Sequence, residues 1–239
     1  MMTEPMRLTR ALVDRLPPRC DERGPVVIDA PDPEFYARNA TQILSQLGEP
    51  GVLWVFAAGS LIWNPRFEVA ERRVALVEGW RRSFCLGPDR RFRGSPSAPG
   101  RMLSLDRGGQ CPGVVLRMRA DDQHAALVGL LEKEPPLPPQ WVQAETSAGL
   151  VKAIAFTADP AFPLYVPEPP EDQLADILAS SVGHIGTMAD YLLNTITELE
   201  KAGVHDPHLW RLQALVAARL QRLPERAQFP LPARGQSGS

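Results

Sequence analysis

Cysteine is scarce in this chain of 239 residues. Only Cys20, Cys85 and Cys111 are present, odd in number, far apart and in no Cys-x-x-Cys spacing. Neither a disulfide framework nor a thiolate metal site is indicated. Cys85 and Cys111 fall in strand-like segments without an obvious His partner, so packing, not nucleophilic chemistry, is the expected role. Histidine is nearly as rare, with four residues, and only His205-x-x-His208 has the look of a ligand pair. The Asp206-Pro207 between them reads instead as a helix start, and no third ligand is evident, so no metal is expected. His124 and His184 read as a surface and a helix-start histidine. Long apolar runs are missing too. Nothing approaches the roughly 20 residues that cross a bilayer, and Met1–Arg10 has no stretch of signal-peptide length. Charge of one sign is not in excess, with 26 Lys and Arg against 28 Asp and Glu and a net charge of −2. There is no whole-molecule reason to expect nucleic acid or an anionic membrane as partner. A protein of the reducing cytoplasm is the expectation.

What remains is 44% hydrophobic and 23% charged, enough for one core of ordinary size. Residues 1–50 read as a helical, proline-punctuated extension that packs on the core, with Asp32-Pro33 as N-cap and first turn ahead of Phe35, Ile43, Leu44 and Leu47. Residues 51–222 read as the main domain. The run Val52–Phe56 suits a buried strand that breaks at Gly59-Ser60. Further strands are expected at Val74–Val77, Ser83–Leu86, Met102–Leu105 and Val114–Met118, divided by turns such as Gly94-Ser95-Pro96 and Pro99-Gly100. Asp121–Glu132 is helical, with Leu127, Val128 and Leu131 on one face, and Pro135-Pro136 must end it, which puts Glu134 at a helix C-terminus. A strand at Val151–Thr157 and a helix from Glu171 to about Ser180 follow. A helical hairpin closes the domain: Ile185, Met188, Ala189, Leu192, Leu193, Ile196 and Leu199 mark one face, Gly203 suits the cap, and Asp206-Pro207 opens a helix carrying Leu209, Leu212, Val216 and Leu220. The segment 223–239, rich in Pro, Gly, Ser and Gln, is expected to be a mobile tail. Periodicity alone gives an α+β class.

The basic residues are nearly all arginine and crowd between Arg66 and Arg107. They read either as a solvated rim on strands or as partners for an anionic small molecule, since guanidinium pairs bidentately with carboxylates. A nucleic-acid surface is the weaker alternative, for the region lacks interleaved aromatics. The Gly-Ser turn after the first strand bares backbone N–H groups that can cradle a carboxylate or oxyanion.

The stretch Phe56-Ala57-Ala58-Gly59-Ser60-Leu61-Ile62-Trp63-Asn64-Pro65 strongly resembles the Phe-Gly-Tyr-Gly-Ser-Leu-Met-Trp-Asn-Pro pattern of ChaC-like, glutathione-degrading γ-glutamyl cyclotransferases. The resemblance continues in order: Gly79-Trp80-Arg81-Arg82-Ser83-Phe84-Cys85; Arg93-Gly94-Ser95-Pro96 with Pro99-Gly100; Leu105–Gly109 with Cys111-x-Gly113-Val114; Leu130-x-x-Lys133-Glu134; Gly183-x-x-Gly186, a helical signature in the family, with Asp190-Tyr191-Leu192-Leu193; and a turn at Gly203–Asp206. It spans about residues 52 to 215, with a looser likeness at Leu8-Thr9-Arg10. It implies a small mixed sheet closing toward a barrel, helices outside, and the pocket at the barrel mouth. It also implies a small-molecule substrate and no cofactor.

In that reading the substrate's own α-amine attacks its γ-carbonyl, giving 5-oxoproline and releasing an amine. Glu134 is the expected acid/base, helped by a pKa raised through the helix end and a half-buried pocket. Backbone groups at Ala58, Gly59, Ser60 and Leu61 would hold the glutamyl part, Arg81 or Arg93 the glycyl carboxylate, and the Tyr191 hydroxyl is a further contact. Two departures bear on the substrate: Ala58 stands where the family has Tyr, and the segment Pro135–Gln140 before Trp141 is short. A family member kept as a binding or regulatory protein, in line with the family's older link to cation transport, is the alternative.

Overall fold

The computed structural model describes residues 5–28, 31–48, 51–119 and 121–225; the expected mobile tail lies almost wholly outside them. Five strands form a closed barrel in the order β1-β3-β2-β4-β5. They are β1 (Trp54–Ala57), β2 (Val69–Asp89), β3 (Gly100–Met118), β4 (Gln140–Thr146) and β5 (Gly149–Ala155). All pairs are antiparallel except β1 with β5, which closes the barrel in parallel. Around it lie α1 (Arg10–Val13), α2 (Pro33–Ser45), α3 (Gln123–Leu131), α4 (Glu171–Ser180), α5 (Met188–Lys201) and α6 (Pro207–Leu220), with the two-residue strands β6 (Val182–Gly183) and β7 (Gly186–Thr187) ahead of α5.

Strand alternation divides the apolar residues between two cores. On β1, Trp54 and Phe56 join Val77, Cys111, Val142 and Ala153 in one cluster. Leu53, Val55 and Ala57 turn the other way, onto Leu127 and Leu130 of α3, Leu192 and Ile196 of α5, and Leu209 and Leu212 of α6. Leu8, Leu12, Ala40 and Ile43 of the amino-terminal segment are buried in that same helical core.

The four separate strands expected between residues 74 and 118 are two long, irregular ones. Val74–Val77 and Ser83–Leu86 both belong to β2, whose register shifts between Glu78 and Trp80. Gly79 sits at the shift with φ of +79°, a left-handed backbone that costs glycine least. Strand β4 was not expected, although Val142, Ala144 and Thr146 alternate in burial with Gln143 and Glu145. Helix α3 stops at Leu131, before Glu134. Ile185 is not on α5: it is half-exposed, in the tight turn between β6 and β7, so the Gly183-x-x-Gly186 segment is a strand–turn–strand and not helical. No helix among the described residues is long and apolar enough to cross a membrane.

Candidate active site

The chain leaves β1 at Ala57, and residues 58–59 lead into a 3-10 turn, Ser60–Ile62. The Gly59 carbonyl accepts from Ile62 N–H at 3.0 Å, and the Ser60 carbonyl accepts from Trp63 and Asn64 N–H at 3.1 and 2.7 Å. The first N–H groups of such a turn have no partner within it.

Arg82 holds the entry to this loop. Its guanidinium is buried, donates from Nε to the Ala58 carbonyl at 2.6 Å and from Nη2 to the Pro112 carbonyl at 2.7 Å, and pairs through Nη1 with Asp206 Oδ2. The other oxygen of Asp206 caps α6, accepting from His208 and Leu209 N–H at 3.0 Å each. One carboxylate thus joins the start of α6 to the loop that follows β1. Because both charges are buried, the pair is held together by its hydrogen bonds, and removing either partner leaves the other uncompensated.

Glu134 faces this loop from the segment after α3. Its carboxyl is pushed up to about 7 by burial, and the positive charge of Arg66 opposes the shift. Helix α3, to whose end the sequence reading gave a share of this effect, finishes three residues earlier, at Leu131. Pro135 and Leu137 continue the wall, and Leu137 N–H donates to the Pro135 carbonyl at 2.6 Å, a tight turn that the proline run favours.

Tyr191 closes the third side from α5. Its ring meets Trp63 and Phe84 edge-on at centroid distances of 6.1 and 6.4 Å. Burial, reinforced by the negative charge of Glu134, pushes its hydroxyl up to about 12, so it stays protonated and can donate. A Cβ added at Gly59 would lie 2.5 Å from this hydroxyl. Glycine is needed there for close approach, not for an unusual φ.

Ala58, Gly59, Ser60, Leu61, Glu134 and Tyr191 therefore line one cleft at the barrel end, together with Leu103 and Thr157. Arg81 and Arg93 do not line it. Arg81 is tied to Asp106 and the Arg107 carbonyl on the exposed side of the sheet. Arg93 lies behind Tyr191, its guanidinium 5.2 Å from that ring, donating to the Thr187 carbonyl at 3.0 Å and 3.7 Å from Asp190. Trp141 points away as well: its indole donates to Gln46 and carries Lys152 over its face. The imidazoles of the His205-x-x-His208 pair have separate partners, Glu200 for His205 and Glu168 with Glu171 for His208. Sequence reasoning missed Arg82, Asp206 and Arg66. The first two lie within the quoted motifs, but only the fold brings them together.

A carboxyl pushed up to about 7, in one cleft with a glycine-containing turn, can move a proton beside a bound anion or oxyanion. The closed barrel has the fold of γ-glutamyl cyclotransferases. In the crystal structure of a selenomethionine-labelled γ-glutamyl cyclotransferase specific to glutathione from yeast, 96% of that chain superposes on 70% of this one, with a TM-score of 0.64 at 18% identity. The family described as ChaC-like protein matches residues 53–219. Among curated proteins, the glutathione-specific gamma-glutamylcyclotransferase of Escherichia coli (strain K12) is 36% identical over 165 residues, which is 67% of this chain and 71% of that protein. Glutathione-specific gamma-glutamylcyclotransferase 1 of Mus musculus is 33% identical over 191 residues, 74% and 82% of the two chains. The chain belongs to the ChaC-like family.

Proposed function

We propose that this protein is a cytoplasmic γ-glutamyl cyclotransferase acting on glutathione, with Glu134 as its single proton shuttle. The observation that carries the reading is the half-buried Glu134, titrating at about 7, in one cleft with the Gly59-Ser60-Leu61 turn. The glutamyl carboxylate or the oxyanion would be received by N–H groups of that turn and the Ser60 hydroxyl, with Tyr191 donating from the side. The Glu134 carboxylate takes a proton from the substrate's α-ammonium, and the freed amine attacks the γ-carbonyl carbon to close a five-membered ring. The tetrahedral intermediate collapses by breaking the bond to the cysteinyl nitrogen, which receives that proton from Glu134; the ring nitrogen gives up its second proton through the same carboxylate, so the amide is neutral and Cys-Gly leaves as an ammonium. 5-Oxoproline and Cys-Gly leave, and no water is consumed. The steps need neither metal nor cofactor. Holding the amine against the carbonyl supplies several kcal/mol of the barrier reduction, and acid/base help roughly 10²- to 10⁴-fold more.

Three unpaired cysteines agree with a reducing compartment. The test is product identification: purified protein with glutathione should release Cys-Gly and 5-oxoproline in equal amounts, faster than it cleaves other γ-glutamyl peptides or γ-glutamyl amines. Tight binding of glutathione without either product would instead favour the binding or regulatory role.

A further inference from the structure

With Arg81 and Arg93 both engaged away from the cleft, the carboxylate at the far end of a glutathione-like substrate has no assigned partner. Arg66 is placed to supply one. It lies four residues beyond the Ser60–Ile62 turn and is exposed. Among the described residues its guanidinium has no hydrogen bond and no ion pair, whereas its neighbours are held: Arg72 by the Ile62 carbonyl, Arg73 by Glu71, Arg82 by Asp206 and Arg119 by Glu68. Its backbone is in the left-handed region, with φ of +64°. That conformation is uncommon outside glycine and persists only where surroundings impose it, which makes it a mark of functional loops. The surroundings here are specific. Asn64 N–H is bound to the Ser60 carbonyl at 2.7 Å, Arg72 to the Ile62 carbonyl at 2.7 Å, and Arg119 N–H to the Glu68 carbonyl at 3.0 Å. The loop is therefore anchored on both sides of Arg66, with the side chain left free. Its charge acts on the Glu134 carboxylate, so it stands within electrostatic reach of the reacting atoms.

We infer that Arg66 is a specificity-determining residue that selects substrates whose leaving group ends in a carboxylate. The inference rests on the cyclotransferase reading above. In that reaction the leaving nitrogen must lie beside Glu134, from which it takes its proton. An extended dipeptide places its terminal carboxylate roughly 7 Å beyond that nitrogen, past the residues that line the cleft, among which there is no cation. A guanidinium there offers a two-pronged contact that neither the apolar cleft wall nor the Gly-Ser turn provides.

The test compares glutathione with its glycyl monoethyl ester, which keeps the reacting bond and the glutamyl group but lacks the terminal charge. The variants are R66N, chosen because asparagine tolerates the left-handed backbone, and R66K and R66E. On the plateau above the acid limb, R66N should lose roughly ten- to a hundredfold in kcat/KM for glutathione, chiefly through KM, while the ester is processed as before. There R66K should retain part of the preference, and R66E should lower glutathione turnover further and leave the ester unchanged. The acid limb of the rate profile should move to higher pH in R66N by the same amount for both substrates, because the charge on Glu134 is lost in each case. An equal loss on both substrates, or no loss on either, overturns the assignment. If the unsubstituted protein cleaves neither compound, the cyclotransferase reading itself fails and takes this assignment with it.

Discussion

Replacing Gly59 by alanine tests the packing of the cleft directly. At Gly59 φ is −139°, not a left-handed value, and a side chain there meets Tyr191 and Leu103. The new methyl would stand 2.5 Å from Tyr191 Oη and 3.1 Å from Leu103 Cδ2, where ordinary contact begins at 3.4 Å. The hydroxyl cannot simply swing aside, because Trp63 and Phe84 hold the ring edge-on and Arg93 lies over its face. Overpacking of this kind costs about 1–3 kcal/mol, which for a chain of this size lowers Tm by roughly 2–4 °C per kcal/mol. The companion change Tyr191→Phe deletes the clashing oxygen and leaves Tyr191 Cζ, 3.7 Å from the methyl, as the nearest ring atom. Urea unfolding of the native protein, both single variants and the double variant closes the cycle. The double variant should be more stable than the sum of the singles predicts by about 1 kcal/mol or more. Additivity within about 0.5 kcal/mol, or a Gly59→Ala protein as stable as the native one, would refute the placement of Tyr191 against the turn.

Further outcomes follow from the same geometry. Because the folded pKa of Glu134 lies above the ordinary carboxylate value, the native state binds more protons than the unfolded state between about pH 4.5 and 7. Stability should therefore fall as pH rises through that window, and Glu134→Gln should lose this slope and be the more stable protein above pH 7, as read by urea unfolding at several pH values. The kcat/KM for glutathione should rise through an acid limb near pH 7, since the carboxylate is the active form; a flat profile from pH 5 to 8 would contradict this. Asp206→Ala removes both a helix cap and the partner of buried Arg82, and should cost about 3–5 kcal/mol in unfolding free energy, whereas a loss below about 1 kcal/mol would reduce the pair to a surface contact. In native protein half-buried Cys20 should react first with a thiol reagent at pH 8, because Cys85 and Cys111 are buried and the Cys85 thiol is pushed up to about 12.

Much of this architecture is legible in the sequence because local chemistry states it openly. Asp32-Pro33, Asp206-Pro207 and the apolar face from Met188 to Leu199 all give helices where they are read, with caps at Asp32 and Asp206. The barrel strands are harder. Strict alternation from buried Val77 would put Arg81 on the buried face of β2, and the register shift between Glu78 and Trp80 passes that face to Arg82. One inserted residue thus decides which of two adjacent arginines holds the loop after β1 and which faces solvent. Glu134 illustrates the opposite limit. Its motif singles it out, but its raised pKa comes from the barrel mouth, Tyr191 and the Pro135–Leu137 turn closing around it, all remote or irregular in sequence. Arg66 is marked only as one end of the arginine-rich stretch, since neither its free guanidinium nor its left-handed backbone can be read from residue type.

The most direct measurement of the central claim is glutathione cleavage by native protein and by Glu134→Gln, followed by appearance of 5-oxoproline at pH 7.5. The variant keeps the size and hydrogen-bonding capacity of the side chain and loses its ability to exchange a proton. The account predicts that kcat falls by at least roughly 100-fold, with KM little changed and an unfolding transition no weaker than that of the native protein. Turnover within a few-fold of native would show that the proton is carried by another group, and Glu134 would then be no more than part of the wall.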